Sequence, residues 1–376
     1  MVPSLRRRTV AALITVVVSI CVAGASPAVA TQVRDYDLGV VELPDAGPKG
    51  PIPVRLWGAI GVPEGPGPYP LVVVAHGRHG DDCPHTPKFV FRWPCWDREL
   101  RADLGMRHLV SALAKRGVAA IAPDLNGAFT IGWNDRSGER HKKLWPAIVD
   151  RTVAELGVAV ATGDDGFGLS LAGRIDVSDP GLLAHSLSGD EAARYVAAHP
   201  VSALLLLAPA FNGASLPDAE TAIVAARCDY DVPGEARSYF DRARRSRRRQ
   251  PVFYASLDGA SHNYFNSTLS RLGRDDGKYL FGAKGCRRPE RLSAARQQGW
   301  IDRFAAAFFA TVLRSASPPP WMALAGPFPK RIYGLPVLYD RLAPQASPRR
   351  PASAGRRGRC RGCRAATRRA SPVARR

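Results

Sequence analysis

The chain has 376 residues, a net charge of +20 and a hydrophobic share of 45%, which excludes a disordered or collagen-like polymer. Three arginines in residues 1–30 and eleven in residues 345–376, none offset by an acid, carry most of that charge and leave +6 on the residues between. A nucleic-acid binder needs its basic footprint on the folded face that docks, so the excess charge at the two ends does not support that class.

Residues 1–30 read as an export signal. Arg6, Arg7 and Arg8 precede an apolar stretch over 10–23, and Ala28-Val29-Ala30 offers a small-residue cleavage site. The apolar run is shorter than the ~20 residues of a membrane span. Cleavage after Ala30 is therefore expected, giving a secreted or cell-envelope-associated protein with no span in its mature form. Arg7-Arg8-Thr9-Val10 suits twin-arginine export as well as the general route. Export permits disulfides. Cys83, Cys95, Cys228 and Cys286 lie in the body, where four cysteines allow three pairings. Cys83 with Cys95, closing a short loop rich in proline and aromatics, and Cys228 with Cys286 are the expected pairs. Neither has the clustered ligands of a zinc site.

Along the body, apolar runs alternate with helical patterns. Residues 54–62 read as an amphipathic strand in a turn-dense region, 44–70, at the sheet edge. Residues 70–75 (PLVVVA) form a β-branched run that suits a strand buried on both faces. The spacing of Met106, Leu109, Val110, Leu113 and Ala114 predicts a helix over 104–116, stopped by Gly117. Strands are predicted at 118–122, 182–184, 203–207, 222–226 and 252–255. Helices are predicted at 144–160, 189–198, near 233–245 and at 297–313. This alternation over 31–344 predicts an α/β fold in which helices cover both faces of a parallel sheet. Residues 345–376, rich in arginine, alanine, proline and serine, have almost nothing to bury. They are expected to be a disordered, solvated tail, open to weak electrostatic contact with anionic polymers.

In such a sheet, reactive groups gather beyond the carboxyl ends of the strands. Ala184-His185-Ser186-Leu187-Ser188-Gly189 stands between a predicted strand and a predicted helix. A serine in a tight strand-to-helix turn is pushed clear of the sheet, and the helix N-terminus behind it stabilises developing negative charge. The usual spacing is G-x-S-x-G; here Ala184 and Ser188 take the glycine positions. Ser170, in Gly168-Leu169-Ser170-Leu171-Ala172-Gly173, has similar spacing, but no strand precedes it and Asp179-Pro180 prevents the required helix. Ser186 is thus the candidate nucleophile.

Only His199 and His262 follow it. His199 caps a helix beside Pro200, which leaves His262, in a loop after the 252–255 strand, as the candidate base. The strand over 222–226 runs into Arg227-Cys228-Asp229-Tyr230-Asp231. Asp229, nearer the strand end, is favoured as the acid that orients the histidine, with Asp231 the alternative. His76-Gly77-Arg78-His79-Gly80 follows the 70–75 strand. Glycine there lets the backbone approach a substrate, so that the N–H of Gly77 or Arg78 supplies one oxyanion donor and the N–H of Leu187 the other.

This order of motifs resembles the α/β-hydrolase superfamily. The spacing of Ser186, Asp229 and His262 is similar to that of secreted bacterial cutinase-like and platelet-activating-factor-acetylhydrolase-like serine esterases. His76-Gly77-Arg78-His79-Gly80 with Cys83, Trp93-Pro94-Cys95 and Asp124-Leu125-Asn126-Gly127 resembles exported actinobacterial members. The resemblance covers residues 50–315. It implies a single domain with an eight-stranded, mostly parallel sheet, and hydrolysis of a small-molecule, lipid or polymer ester through a Ser-His-Asp triad and an acyl-enzyme. With neither a Walker phosphate loop nor an H-E-x-x-H motif in the sequence, no cofactor or metal is expected, nor is a specific nucleic-acid partner. Two alternatives keep the fold: a weak or inactive envelope-binding protein, and a peptidase.

Overall fold

Leucine and β-branched runs form the centre of a ten-stranded sheet. The computed structural model describes residues 29–44, 50–79, 93–97, 99–133, 140–164, 166–274, 286 and 291–345. Residues 1–28, which hold most of the expected signal, Cys83 and residues 346–376 of the expected tail lie outside the described residues. The strands are β1 (Thr31–Leu43), β2 (Ile52–Pro63), β3 (Tyr69–Ala75), β4 (Ala119–Pro123) and β5 (Ile175–His185). Then come β6 (Ala203–Leu207), β7 (Glu220–Cys228), β8 (Val252–Ser261), β9 (Arg331–Ile332) and β10 (Leu335–Leu342). Their order across the sheet is β1-β2-β4-β3-β5-β6-β7-β8-β10-β9.

The expected eight strands are ten among the described residues, and the sheet is parallel only in its centre. β4, β3, β5, β6, β7 and β8 run parallel to their neighbours in that series. Antiparallel pairs β1·β2 and β2·β4 close one side, and β8·β10 and β10·β9 the other. The outer strands escape sequence reading because they carry polar or proline-bearing patterns (TQVRDYDLGVVEL, LPVLYDRL) that a half-exposed edge tolerates. The expected amphipathic strand at 54–62 is instead β2, second from the edge and buried on both faces from Leu56 to Pro63. From Leu56 on it holds no polar residue, and Gly58, Ala59 and Gly61 keep it thin. A Cβ on Gly61 would sit 2.7 Å from Val110 Cγ1, so only glycine lets the neighbouring helix close on that face.

Helices α1 (Arg107–Ala114), α2 (Asn126–Trp133), α3 (Arg140–Thr162) and α4 (Leu187–Ala198) are followed by α5 (Glu235–Arg244), α6 (Ser267–Arg271) and α7 (Ala294–Arg314). The period-2 alternation of β3 feeds both layers of core. Leu71, Val73 and Ala75 share one core layer with Trp145, Ile148 and Val149 of α3 and, further along the sheet, with Tyr239 and Phe240 of α5. Val72 and Val74 belong with Leu109 and Leu113 of α1 and with Trp300, Phe304 and Phe308 of α7. Phe304 is wholly buried and stacks on Trp321 at 4.1 Å and on Trp300 at 4.9 Å. Its truncation to alanine carries a cost of about 3–5 kcal/mol. No helix among the described residues is long and apolar enough to cross a membrane.

Candidate active site

Strand register brings distant residues together at one edge. Ala75 of β3 pairs with Ala184 of β5, so continuing both strands by two residues sets Gly77 beside Ser186. Cys228 of β7 pairs with Ser261 of β8, and the next residues are Asp229 and His262.

Ser186 lies between β5 and α4 with φ 57° and ψ −128°, a backbone that side-chain-bearing residues rarely adopt. Its own N–H reaches the Leu207 carbonyl, and its carbonyl accepts from Gly189 and Ala210, so the turn is tied to β6 and to the chain beyond it. Gly77 presses on it closely. A Cβ there would lie 2.5 Å from Ser186 Cβ and 3.1 Å from its Oγ, which explains the glycine. Leu187 opens α4, so its N–H belongs to the first turn, whose donors have no intrahelical acceptor. Arg78 is exposed beside the same loop. The competing Ser170 stands in the loop ahead of β5, so a strand and not a helix follows it.

Asp229 Oδ2 accepts from His262 Nδ1 at 2.8 Å, and both side chains are buried. Asp229 Oδ1 takes the N–H groups of Asp231 and Val232 at 2.9 and 2.8 Å, which fixes the carboxylate plane. Binding through Nδ1 sets the tautomer and makes Nε2 the proton-accepting nitrogen. Asp231, the alternative acid, does not share the Nδ1 side; its Oδ2 lies 3.4 Å from Nε2 and its side chain is 58% exposed. Cys228, next to Asp229, is bonded to Cys286 across 58 residues with a Cα–Cα distance of 5.7 Å. Cys95 is also disulfide-bonded; Cys83, its expected partner, lies outside the described residues.

Several supporting residues have no motif to announce them. Gln297 of α7 grips the residue before His262 with both ends of its amide, accepting from Ser261 N–H at 2.9 Å and donating to its carbonyl at 2.7 Å. Four imidazoles stand in a row: His76 to His79 at 5.9 Å, His79 to His185 at 6.3 Å, and His185 to His262 at 4.7 Å between ring centroids. His185 Nε2 donates to the His262 carbonyl at 3.2 Å. Burial first, and the neighbouring His262 second, push the His185 pKa well below the ordinary histidine value. His79 is lowered likewise by burial and by the charges His76, His185 and His262 carry when protonated. For His76, burial also acts downward, but Asp124, 3.6 Å away, outweighs it and the net direction is up. Even so, Leu125 N–H donates to His76 Nε2 at 2.8 Å, so the ring is the neutral Nδ1–H tautomer while that bond stands.

Behind His76 lies a pocket of buried acids. Burial, then the charge of Asp124, pushes the Glu99 carboxyl up to about 10. Asp103 is raised to about 6 by burial, against the opposing pull of Arg101 at 2.6 Å. A separate surface groove of about 510 Å³ between α1 and α7, lined by His108, Lys115, Arg116 and Arg303 among others, includes none of Gly77, Ser186, Asp229 or His262.

No protein-family model matches the chain, and neither does any curated protein.

Proposed function

We propose that the protein is an exported serine hydrolase of the α/β-hydrolase type that cleaves carboxylic esters. The observation that carries this reading is the convergence at one sheet edge of a strained Ser186 at a strand-to-helix turn and a buried imidazole held through Nδ1 by Asp229. In the proposed cycle, neutral His262 takes the Ser186 proton as Oγ attacks the ester carbonyl. Backbone N–H groups of Leu187 and of Gly77 or Arg78 receive the oxyanion. Asp229 holds the tautomer and stabilises the imidazolium; His262 then protonates the leaving alcohol, and water repeats the sequence to release the acid. The parallel series β4-β3-β5-β6-β7-β8, with β2 antiparallel beside it, supports the hydrolase-type fold. The Cys228–Cys286 disulfide is compatible with export.

A fluorophosphonate probe tests the reading. It should label Ser186, Ser186→Ala should abolish the label, and p-nitrophenyl esters should be hydrolysed while aminoacyl anilides are not. Anilide hydrolysis would move the protein to the peptidase alternative. One observation favours the inactive, envelope-binding alternative: Asp231 approaches Nε2 at 3.4 Å, the nitrogen that the cycle directs at Ser186. An unlabelled wild-type protein would decide for that alternative.

A further inference from the structure

Ser188 is one of the two positions, with Ala184, at which the turn departs from G-x-S-x-G, and its side chain is wholly buried. Its hydroxyl accepts a hydrogen bond from Trp145 Nε1 at 2.9 Å and donates to the His76 carbonyl. With its proton directed at His76 and a lone pair taken by the indole, that hydroxyl has a single orientation. His76 continues the chain by donating from Nδ1 to the Gly77 carbonyl at 2.8 Å, while Leu125 N–H holds Nε2.

Each link fixes a peptide plane. In a trans peptide the carbonyl and the following N–H point in opposite directions. Anchoring the His76 carbonyl on Ser188 therefore sets the direction of the Gly77 N–H. Anchoring the Gly77 carbonyl on His76 sets the direction of the Arg78 N–H. These are the two N–H groups offered as the loop's oxyanion donor, and the loop carrying them is pressed on Ser186 through Gly77.

We infer that Ser188, braced by Trp145 and acting through His76, is a positioning residue that aims the oxyanion-binding peptides; this rests on the ester-hydrolase reading above. The serine at the glycine position thereby takes a role instead of marking decay. Hydrogen bonds weaken steeply as their angle closes, and a whole oxyanion donor is worth roughly 10²–10³ in rate. A donor left free to tilt should forfeit part of that factor.

The test uses the full chain as wild type, Ser188→Ala, Ser188→Gly and Trp145→Phe. Active sites are counted by fluorophosphonate labelling taken to completion, kcat and KM are measured on p-nitrophenyl butyrate, and folding is followed by thermal melting. The expected result is a kcat per labelled site lowered about 10- to 100-fold in the Ser188 variants, with KM unchanged. Trp145→Phe should give a smaller loss, and Ser188→Ala with Trp145→Phe should be no slower than Ser188→Ala alone, because the two act in series. Ser188→Gly discriminates most sharply: it restores the common elbow residue, yet it should slow the enzyme. A kcat per labelled site within twofold of wild type in both Ser188 variants would overturn the inference. So would a loss that merely follows the unfolded fraction. Should the wild type neither label nor turn over at Ser186, the hydrolase reading itself fails, a result separate from any variant's behaviour.

Discussion

Asp229 holds His262 through Nδ1 at 2.8 Å, and the bond exists because Cys228 and Ser261, the residues just before them, are paired across β7 and β8. Asp231, two residues on, meets the opposite nitrogen from an exposed position. The two carboxylates should therefore respond differently to neutralisation. Asp229→Asn is expected to lower kcat on p-nitrophenyl esters on the order of 10³–10⁴, as loss of tautomer control does in a triad. Asp231→Asn should stay within about threefold of wild type, the scale of an exposed charge. Steady-state kinetics on the two variants checks this; the reverse ranking would exchange their roles.

The bond from Cys228 to Cys286 ends one residue from Asp229. A loop of this length contributes roughly 4 kcal/mol to stability in the chain-entropy account, and here it also tethers the segment that carries Asp229, the proposed acid. Mild reduction, or Cys228→Ser with Cys286→Ser, should cost ester turnover at temperatures where the circular dichroism remains native. Parallel loss of both signals would limit the bond to a global role.

Acid should destabilise the protein through its buried imidazoles. The unfolded chain takes up protons near pH ~6.5, whereas the folded state resists them at His185 and His79, whose pKa values burial lowers. Below that pH the unfolded state binds more protons, so stability falls as pH falls, by up to about 1.4 kcal/mol per pH unit for each such group. Urea unfolding at pH 7, 6 and 5 should show a shallower acid slope in His185→Phe than in wild type. Identical slopes would mean that His185 titrates normally.

Glu99 works in the opposite direction. Its carboxyl, raised to about 10 by burial and by Asp124, keeps in the folded state a proton that the unfolded chain releases above roughly pH 4.5. Its contribution is therefore lost progressively as pH rises from about 4.5 towards 10. Glu99→Gln, which retains a donor without the charge, should raise the melting temperature at pH 8 and converge on wild type near pH 4.5. A gap that does not change with pH would refute the raised value.

The central strands were legible because they are continuous apolar runs: ALLLL at Ala203–Leu207 has the same limits in sequence and structure. Ser186 was legible from its place between such a run and a helix. β1, at one edge, and β10, covered on its outer side only by the two-residue β9, were not, since a strand at or next to the edge needs neither alternation nor apolar content once a neighbour supplies its hydrogen bonds. Ser188 read only as a departure from glycine, because its partners Trp145 and His76 come from α3 and the loop after β3. Gln297 and Glu99 were equally silent. Register and packing between distant segments decide what they touch, and local pattern carries none of that information.

The backbone at residue 186 lies at positive φ. With φ 57° and ψ −128°, it suits a residue with no side chain at all. Holding a hydroxymethyl group there stores about 1–3 kcal/mol of strain, more than the ~0.5–1 kcal/mol that glycine's looser unfolded chain would take back. Ser186→Gly should thus yield a protein that melts above its parent and no longer labels, so that screening for heat resistance alone would favour erasing the very atom on which the proposed chemistry depends.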